Sequence, residues 1–208
     1  MATKILNAVL KRWGATSTKQ RIWDAEYQSG KWQHLDPRDR SGIQRDLIYQ
    51  SLERYSEGTS ILDLGCGTAS TAAELRSDYA SYLGVDISEI AIAQGREIIA
   101  RDPERAHKTH FAVSDIFDFV PGGQFNVILF RECLYYFPKQ TAREVLEHYC
   151  QFLVPGGVFV VRLHDRKKYD PLIRLIEREY DVTERLAPRG ATEIVVVFQP
   201  VRMAKERA

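Results

Sequence analysis

The sequence predicts an α/β fold: a doubly wound, mostly parallel sheet preceded by a helical cap. Three observations carry this. From residue 59 to about residue 180, short runs rich in Val, Ile and Leu alternate with amphipathic stretches, the pattern of strands covered on both faces by crossover helices. The last two runs are separated by only a few turn residues around Pro188-Arg189-Gly190, so they should pair antiparallel. The chain has 208 residues, 44% hydrophobic and 27% charged, which suits one domain with a real core.

Residues 1–56 read as helices. Ile5, Val9 and Trp13 recur at i, i+4 and i+8, which places them on one helix face. Ser17 or Thr18 can cap a second helix that runs to about Ser29, with Gly30 as its stop. Asp36-Pro37 reads as the start of a third helix with Ile43, Leu47, Ile48 and Leu52 facing inward. Ile61-Leu62-Asp63-Leu64 is then a first strand and 69–78 a helix. Tyr82-Leu83-Gly84-Val85 is a second strand ending at Asp86, and Ser88 caps a helix to about Arg101. His110 to Val113 and Phe125 to Phe130 are the third and fourth strands. A helix over 139–152 leads to a turn at Pro155-Gly156-Gly157 and a fifth strand, Val158 to Val161. After a helix near 170–180, Tyr180 to Leu186 and Thr192 to Phe198 form the closing hairpin.

A formal net charge of +1 gives no bulk electrostatic case for nucleic acid, so no nucleic-acid partner is expected. No apolar run approaches the roughly 20 residues that cross a bilayer, and Lys4 to Arg12 would bind an anionic surface only weakly, so no stable membrane association is expected. Met1 to Arg12 is too interrupted for a signal peptide. Cys66, Cys133 and Cys150 have neither ligand nor disulfide spacing and read as reduced thiols of a cytoplasmic protein. His107 and His110 lack acidic or cysteine partners at metal spacing, so no metal site is expected. Arg166-Lys167-Lys168 reads as a solvated loop able to meet an anionic substrate group. The basic tail, 201–208, is expected to fray.

The chemistry concentrates in Asp63-Leu64-Gly65-Cys66-Gly67-Thr68-Ala69. An acidic residue at a strand end precedes two glycines that let the backbone turn and approach a ligand closely. The next helix presents free N–H groups, and such sheets bind ligands at the carboxyl ends of their strands. Asp86 ends the second strand, where a carboxylate can accept from ribose hydroxyls, and Asp115 follows the third, where an acceptor can meet an adenine amine. A nicotinamide or flavin fingerprint would need a third glycine where Ser70 stands, and Asp63 would face a pyrophosphate unfavourably. A cationic ligand suits the acidic loop better.

On these segments, with Ser114-Asp115-Ile116 and Asn126 to Leu129, the chain resembles the class I S-adenosylmethionine-dependent methyltransferases over about residues 58–199. The resemblance implies a seven-stranded sheet of order 3-2-1-4-5-7-6 with the last strand antiparallel. It implies a cap over 1–56, a cofactor-binding domain over 57–200 and a tail. It also implies that Gly65, Cys66 and Gly67 flank the methionine part of S-adenosylmethionine and that Asp63 orders that loop. Asp86 and Ile87 would hold the ribose side, and Asp115 and Ile116 the adenine. Many members have a third glycine where Ala69 stands, and little loss is expected from alanine there. In small-molecule members a capping segment folds over the cofactor, which makes Tyr27, Trp32 and Arg45 candidates, with Arg131 as a further one. The same aromatics would equally serve to cover the sheet edge.

Arg131-Glu132-Cys133-Leu134-Tyr135-Tyr136 follows the fourth strand and resembles the glutamate-plus-Leu-Tyr-Tyr pattern of small-molecule methyltransferases. Glu132 and His164 are therefore the catalytic candidates, as proton acceptors near the opening. Glu132 would equally form a salt bridge with Arg131 or cap a helix, and His164 would equally be a plain strand-end residue. The expected function is methyl transfer to an O, N or S of a small-molecule acceptor. The alternatives are a cofactor-binding protein that does not methylate, recognisable by a pocket filled with Tyr135, Tyr136 and Trp32, or a protein or nucleic-acid methyltransferase. The sequence leaves the acceptor and the oligomeric state open.

Overall fold

A computed structural model describes residues 2–32 and 46–201. Arg45, the Asp36-Pro37 helix start and the tail from Arg202 lie outside them. The elements run α1 (Ala2–Trp13), α2 (Thr16–Gln28), α3 (Ile48–Ser56), β1 (Ser60–Leu64), α4 (Ser70–Glu74), β2 (Ser81–Asp86), α5 (Glu89–Ile99), α6 (Pro103–Ala106), β3 (Thr109–Val113), β4 (Phe125–Arg131), a 3-10 turn (Leu134–Tyr136), α7 (Lys139–Cys150), β5 (Leu153–Leu163), α8 (Asp170–Glu179), β6 (Tyr180–Leu186) and β7 (Ile194–Pro200). The sheet has the expected order, β3-β2-β1-β4-β5-β7-β6. Strands β1 to β5 pair in parallel, and β7 runs antiparallel to both β5 and β6.

Alternation along each strand divides the core into two layers. Leu62, Ile128, Phe130, Phe159, Val161 and Phe198 pack against α7 and α8. Ile61, Val127, Leu129, Val158, Val160 and Val197 pack on the other face against Ile48, Tyr49 and Leu52 of α3 and Ala72 of α4. Of the helices read ahead of β1, α3 thus lies on the sheet, while Lys11, Lys19, Trp23 and Tyr27 of α1 and α2 line a cleft at the carboxyl ends of the strands.

Several local expectations are corrected. Val9 is 49% exposed and Trp13 68% exposed, so the apolar face read from α1 points outward at these positions. Ala15 is the N-cap of α2 and makes no side-chain cap bond, so neither Ser17 nor Thr18 fills that role. Helix α4 stops at Glu74 because Leu75 turns extended and is fully buried, while Arg105 donates to the carbonyls of Ala72 and Leu75 at 2.5 Å. Strand β5 begins at Leu153 and passes through Pro155-Gly156-Gly157, with a register shift against β4 in place of the expected turn. Helix α6, capped by the Asp102 side chain, was not foreseen. Ser88 caps α5 as read, accepting from the Ala91 N–H at 3.1 Å.

Candidate active site

The loops after β1, β2, β3, β4 and β5 open on one cleft of about 750 Å³, within the range of small-ligand sites. Asp63, Gly65, Cys66, Gly67, Asp86, Ile87, Asp115, Ile116, Arg131, Glu132, His164, Tyr27 and Trp32 all line it. Of the residues singled out from the sequence for the site, only Arg45 lies outside the described part of the chain.

The glycine loop is held open by conformations that side chains rarely adopt. Gly65 and Gly67 have φ of +76° and +54°. A Cβ on Gly65 would sit 2.7 Å from the Cys133 Cβ, and one on Gly67 would sit 2.7 Å from the Tyr27 hydroxyl. Ala69 also has a positive φ, +58°, a conformation that glycine adopts without strain. An alanine in this region costs on the order of 1–2 kcal/mol in backbone strain. Its methyl group packs against Gly95 of α5, where the absence of a side chain leaves room.

The three strand-end carboxylates have different surroundings. Asp86 accepts from the Gly67 N–H and the Ser88 N–H, both at 2.9 Å, one on each oxygen. Each oxygen keeps an acceptor position. Burial pushes its pKa up, against the pull of those backbone donors. Asp63 is fully buried and accepts from the Tyr82 hydroxyl, while its Oδ1 accepts no hydrogen bond of ordinary geometry among the described residues. Burial raises its pKa to about 6. Asp115 accepts from the Phe117 N–H at 3.1 Å and forms an ion pair with Lys19 of α2 at 2.9 Å.

Helix α2 is fastened across this floor. Asp24 accepts from the Ser88 hydroxyl at 2.6 Å and from the Ile90 N–H at 3.2 Å, at the start of α5. Lys11 lies 3.4 Å from the Trp23 ring centroid and pairs with Glu26 at 2.6 Å, and Trp32 donates to the same Glu26 carboxylate at 3.1 Å. Burial lowers the Lys11 pKa, against the raising effect of Glu26. Trp23 meets Tyr136 edge-to-face at 5.0 Å, which joins the cap to the segment after β4.

The charged pairs after β4 differ from those the sequence offered. Arg131 pairs with Asp46 at 2.8 Å and donates to Ser70 at 3.0 Å, not to Glu132. Glu132 has a φ of +58° and pairs with Arg162 at 2.6 Å. Its other oxygen accepts from the Tyr135 hydroxyl at 3.0 Å and contacts the His164 Nδ1. Arg162 also reaches Asp46 at 3.2 Å and Glu193. Sequence reasoning passed over Lys19, Asp46 and Arg162, because nothing in their local sequence announces partners so distant in the chain.

A family profile for methyltransferase domains matches residues 62–159, the segment from the glycine loop to β5. The matched segment is just under half of the chain, and it agrees with the resemblance to the class I S-adenosylmethionine-dependent methyltransferases. The chain is 30% identical over 126 residues to a dTDP-4-amino-2,3,4,6-tetradeoxy-D-glucose N,N-dimethyltransferase of Saccharopolyspora spinosa, a match covering 60% of this chain and 48% of that one. It is 26% identical over 194 residues to a ubiquinone biosynthesis O-methyltransferase of Acinetobacter baumannii, covering 90% of this chain and 79% of that one. The chain thus spans about half the length of the sugar-modifying relative. In fold it is similar to the N-methyltransferase NodS from Bradyrhizobium japonicum WM9, solved with S-adenosyl-L-homocysteine: TM-score 0.65, 18% identity, 84% of this chain and 98% of that one.

Proposed function

We propose that this protein transfers a methyl group from S-adenosylmethionine to an O, N or S atom of a small molecule. The observation that carries the reading is the single cleft in which a glycine loop and three strand-end carboxylates lie beneath an aromatic and basic cap. The residues present fit the cofactor. The buried Oδ1 of Asp63 suits a cationic group, and the space above Gly65 and Gly67 is space that side chains would fill. When bound, the cofactor supplies an electrophilic methyl on a sulfonium.

Asp86 would accept from the ribose hydroxyls, with its carboxylate already oriented by Gly67 and Ser88. Asp115, Ile87 and Ile116 would enclose the adenine, and Asp115 would exchange its contact with Lys19 for the adenine amine. Gly65, Cys66 and Gly67 would border the methionine part, with Tyr27, Trp32 and Arg131 around it. Residues 1–56 would supply the cap, with α1 and α2 as its covering part, excluding water and aligning the acceptor. Tyr135, Tyr136 and Trp32 line the walls and leave the volume open, which supports an enzyme over a binder that does not methylate. The small-molecule class is supported by this enclosure and by relatives named for a sugar and for ubiquinone biosynthesis.

The test is calorimetry with S-adenosylmethionine, followed by mass spectrometry of S-adenosylhomocysteine formed with a panel of small phenols, amines and amino sugars. Micromolar cofactor binding and turnover with at least one acceptor are expected. Absence of cofactor binding would refute the reading.

A further inference from the structure

We propose that an aromatic cage in the wall of the cleft, formed by Trp23, Trp32, Tyr136 and the Glu26 carboxylate, is the subsite for a cationic amino group carried by the methyl acceptor. The inference rests on the methyltransferase reading and narrows its acceptor to amine-bearing molecules. Lys11 of α1 fills the cage in this structure. Its ammonium lies 3.4 Å from the Trp23 ring centroid, 5.7 Å from that of Tyr136 and 5.9 Å from that of Trp32. All three are within the roughly 6 Å at which a ring face attracts a cation. Among the described residues, the one oxygen that accepts from this ammonium is Glu26 Oε2, at 2.6 Å.

The cage is built by spacing and one turn. Trp23, Glu26 and Tyr27 stand at i, i+3 and i+4 on α2 and so share a face. Gly30, with a φ of +74°, turns the chain after α2 and brings Trp32 back, where its indole N–H donates to Glu26 at 3.1 Å. Trp23 and Trp32 lie 5.9 Å apart, and Tyr136 closes the third side edge-on to Trp23 at 5.0 Å. Lys31 pairs with the other Glu26 oxygen at 2.8 Å from an exposed position, so the carboxylate keeps a partner when Lys11 leaves. Lys11, Trp23, Trp32 and Tyr136 all line the cleft that holds the glycine loop, so the cage opens on the same space.

The lysine is an imperfect occupant. A primary ammonium carries three N–H donors, and a cage of one carboxylate and three rings offers an oxygen to one of them. Burial accordingly lowers the Lys11 pKa, against the raising effect of Glu26. A dialkylated ammonium has a single N–H for Glu26 and turns its alkyl groups to the rings, so it enters with less desolvation. Val9 and Trp13, two positions either side of Lys11, lie about 200° round the helix from it and are exposed. Helix α1 is therefore not clamped between two layers at this point, and Lys11 swings out as an acceptor enters. The strand-end carboxylates that suit the cofactor lie on the floor of the cleft. The cage belongs to its cap, which leaves the acceptor as the source of the cation.

The test uses N,N-dimethylethanolamine, a cation with one N–H at neutral pH, and its neutral isostere 3-methylbutan-1-ol, each titrated against the full chain by tryptophan fluorescence. The cation is expected to bind roughly 5- to 30-fold more tightly than the alcohol, the range of a cation held over rings. Lys11→Ala empties the cage, and the cation should then bind about 10-fold more tightly or better, because a filled site weakens apparent affinity in proportion to the fraction left free. Trp23→Leu should bring the two probes together, a comparison that needs no change at Lys11. Equal binding of the two probes by the parent and by Lys11→Ala would overturn the cage, and no gain in Lys11→Ala would overturn Lys11 as a stand-in for the ligand. Saturating S-adenosylhomocysteine should leave the cation bound; its displacement would give the cage to the cofactor's own amino group and overturn the acceptor assignment. With S-adenosylmethionine present, amines and amino sugars should be methylated ahead of phenols, and methylation of phenols alone would overturn the acceptor class. Failure of the parent to bind S-adenosylmethionine would instead overturn the reading on which this inference rests, and the probe titrations, run without cofactor, keep the two failures apart.

Discussion

Asp86→Asn separates the two duties of this carboxylate. Each Asp86 oxygen accepts one backbone N–H, from Gly67 and from Ser88, at 2.9 Å. Asparagine has one acceptor oxygen, so one buried N–H would face an amide NH2. An unsatisfied buried donor costs about 1–3 kcal/mol. Part of that is offset because burial already disfavours the Asp86 charge. In a domain of this size each kcal/mol corresponds to about 2–4 °C, so the melting temperature should fall by a few degrees while the fold survives. The cofactor loses one charge-assisted hydrogen bond, worth about 1.5–3 kcal/mol, which weakens Kd roughly 10- to 150-fold. Calorimetry with S-adenosylmethionine and thermal unfolding without ligand measure the two effects separately. A Kd within twofold of the parent beside a lowered melting temperature would make Asp86 a loop organiser only and would refute its ribose role.

Three further outcomes follow from the same geometry. The pKa of Asp63 lies at about 6 in the folded chain against an ordinary 3.8, so between these values the native state binds the extra proton and this group favours folding more as pH falls. Cofactor affinity should run the other way, rising with pH from about 5 to 7 as Asp63 ionises, and Asp63→Asn should flatten that rise; equal pH dependence in both proteins would count against the cationic-group role. Gly67→Ala adds a methyl 2.7 Å from the Tyr27 hydroxyl at a φ of +54°, so stability should drop by about 1–2 kcal/mol and α2 should become easier to cleave by protease, whereas unchanged cleavage would mean that Tyr27 moves aside freely. Asp46→Asn removes the carboxylate shared by Arg131 and Arg162, and urea unfolding should register a loss of about 3–5 kcal/mol; a loss under about 1 kcal/mol would show that the two guanidiniums find other partners.

What the sequence by itself determined is local. Alternating short Val/Ile/Leu runs and amphipathic stretches specify the strands and the parallel core, because strand and helix periods are written in neighbouring residues. The hairpin follows from the short turn at Pro188-Arg189-Gly190. Asp63, Gly65, Gly67, Asp86 and Asp115 were legible because each is tied to a strand end, and parallel strands bring those ends to one edge. Tertiary structure decided the pairings. Arg131 and Arg162 are register partners on β4 and β5. Strand alternation sends both to the α3 face, where Asp46 lies between them, and so takes Arg131 away from Glu132. Glu132 leaves the strand with a positive φ and meets Arg162 and His164 instead. Lys19 finds Asp115 only because α2 is anchored through Asp24 to the start of α5. The outward face of α1 and the left-handed turn at Ala69 likewise depend on what lies against them. Side chains far apart in the chain meet only where packing and register put them, and no local pattern records that.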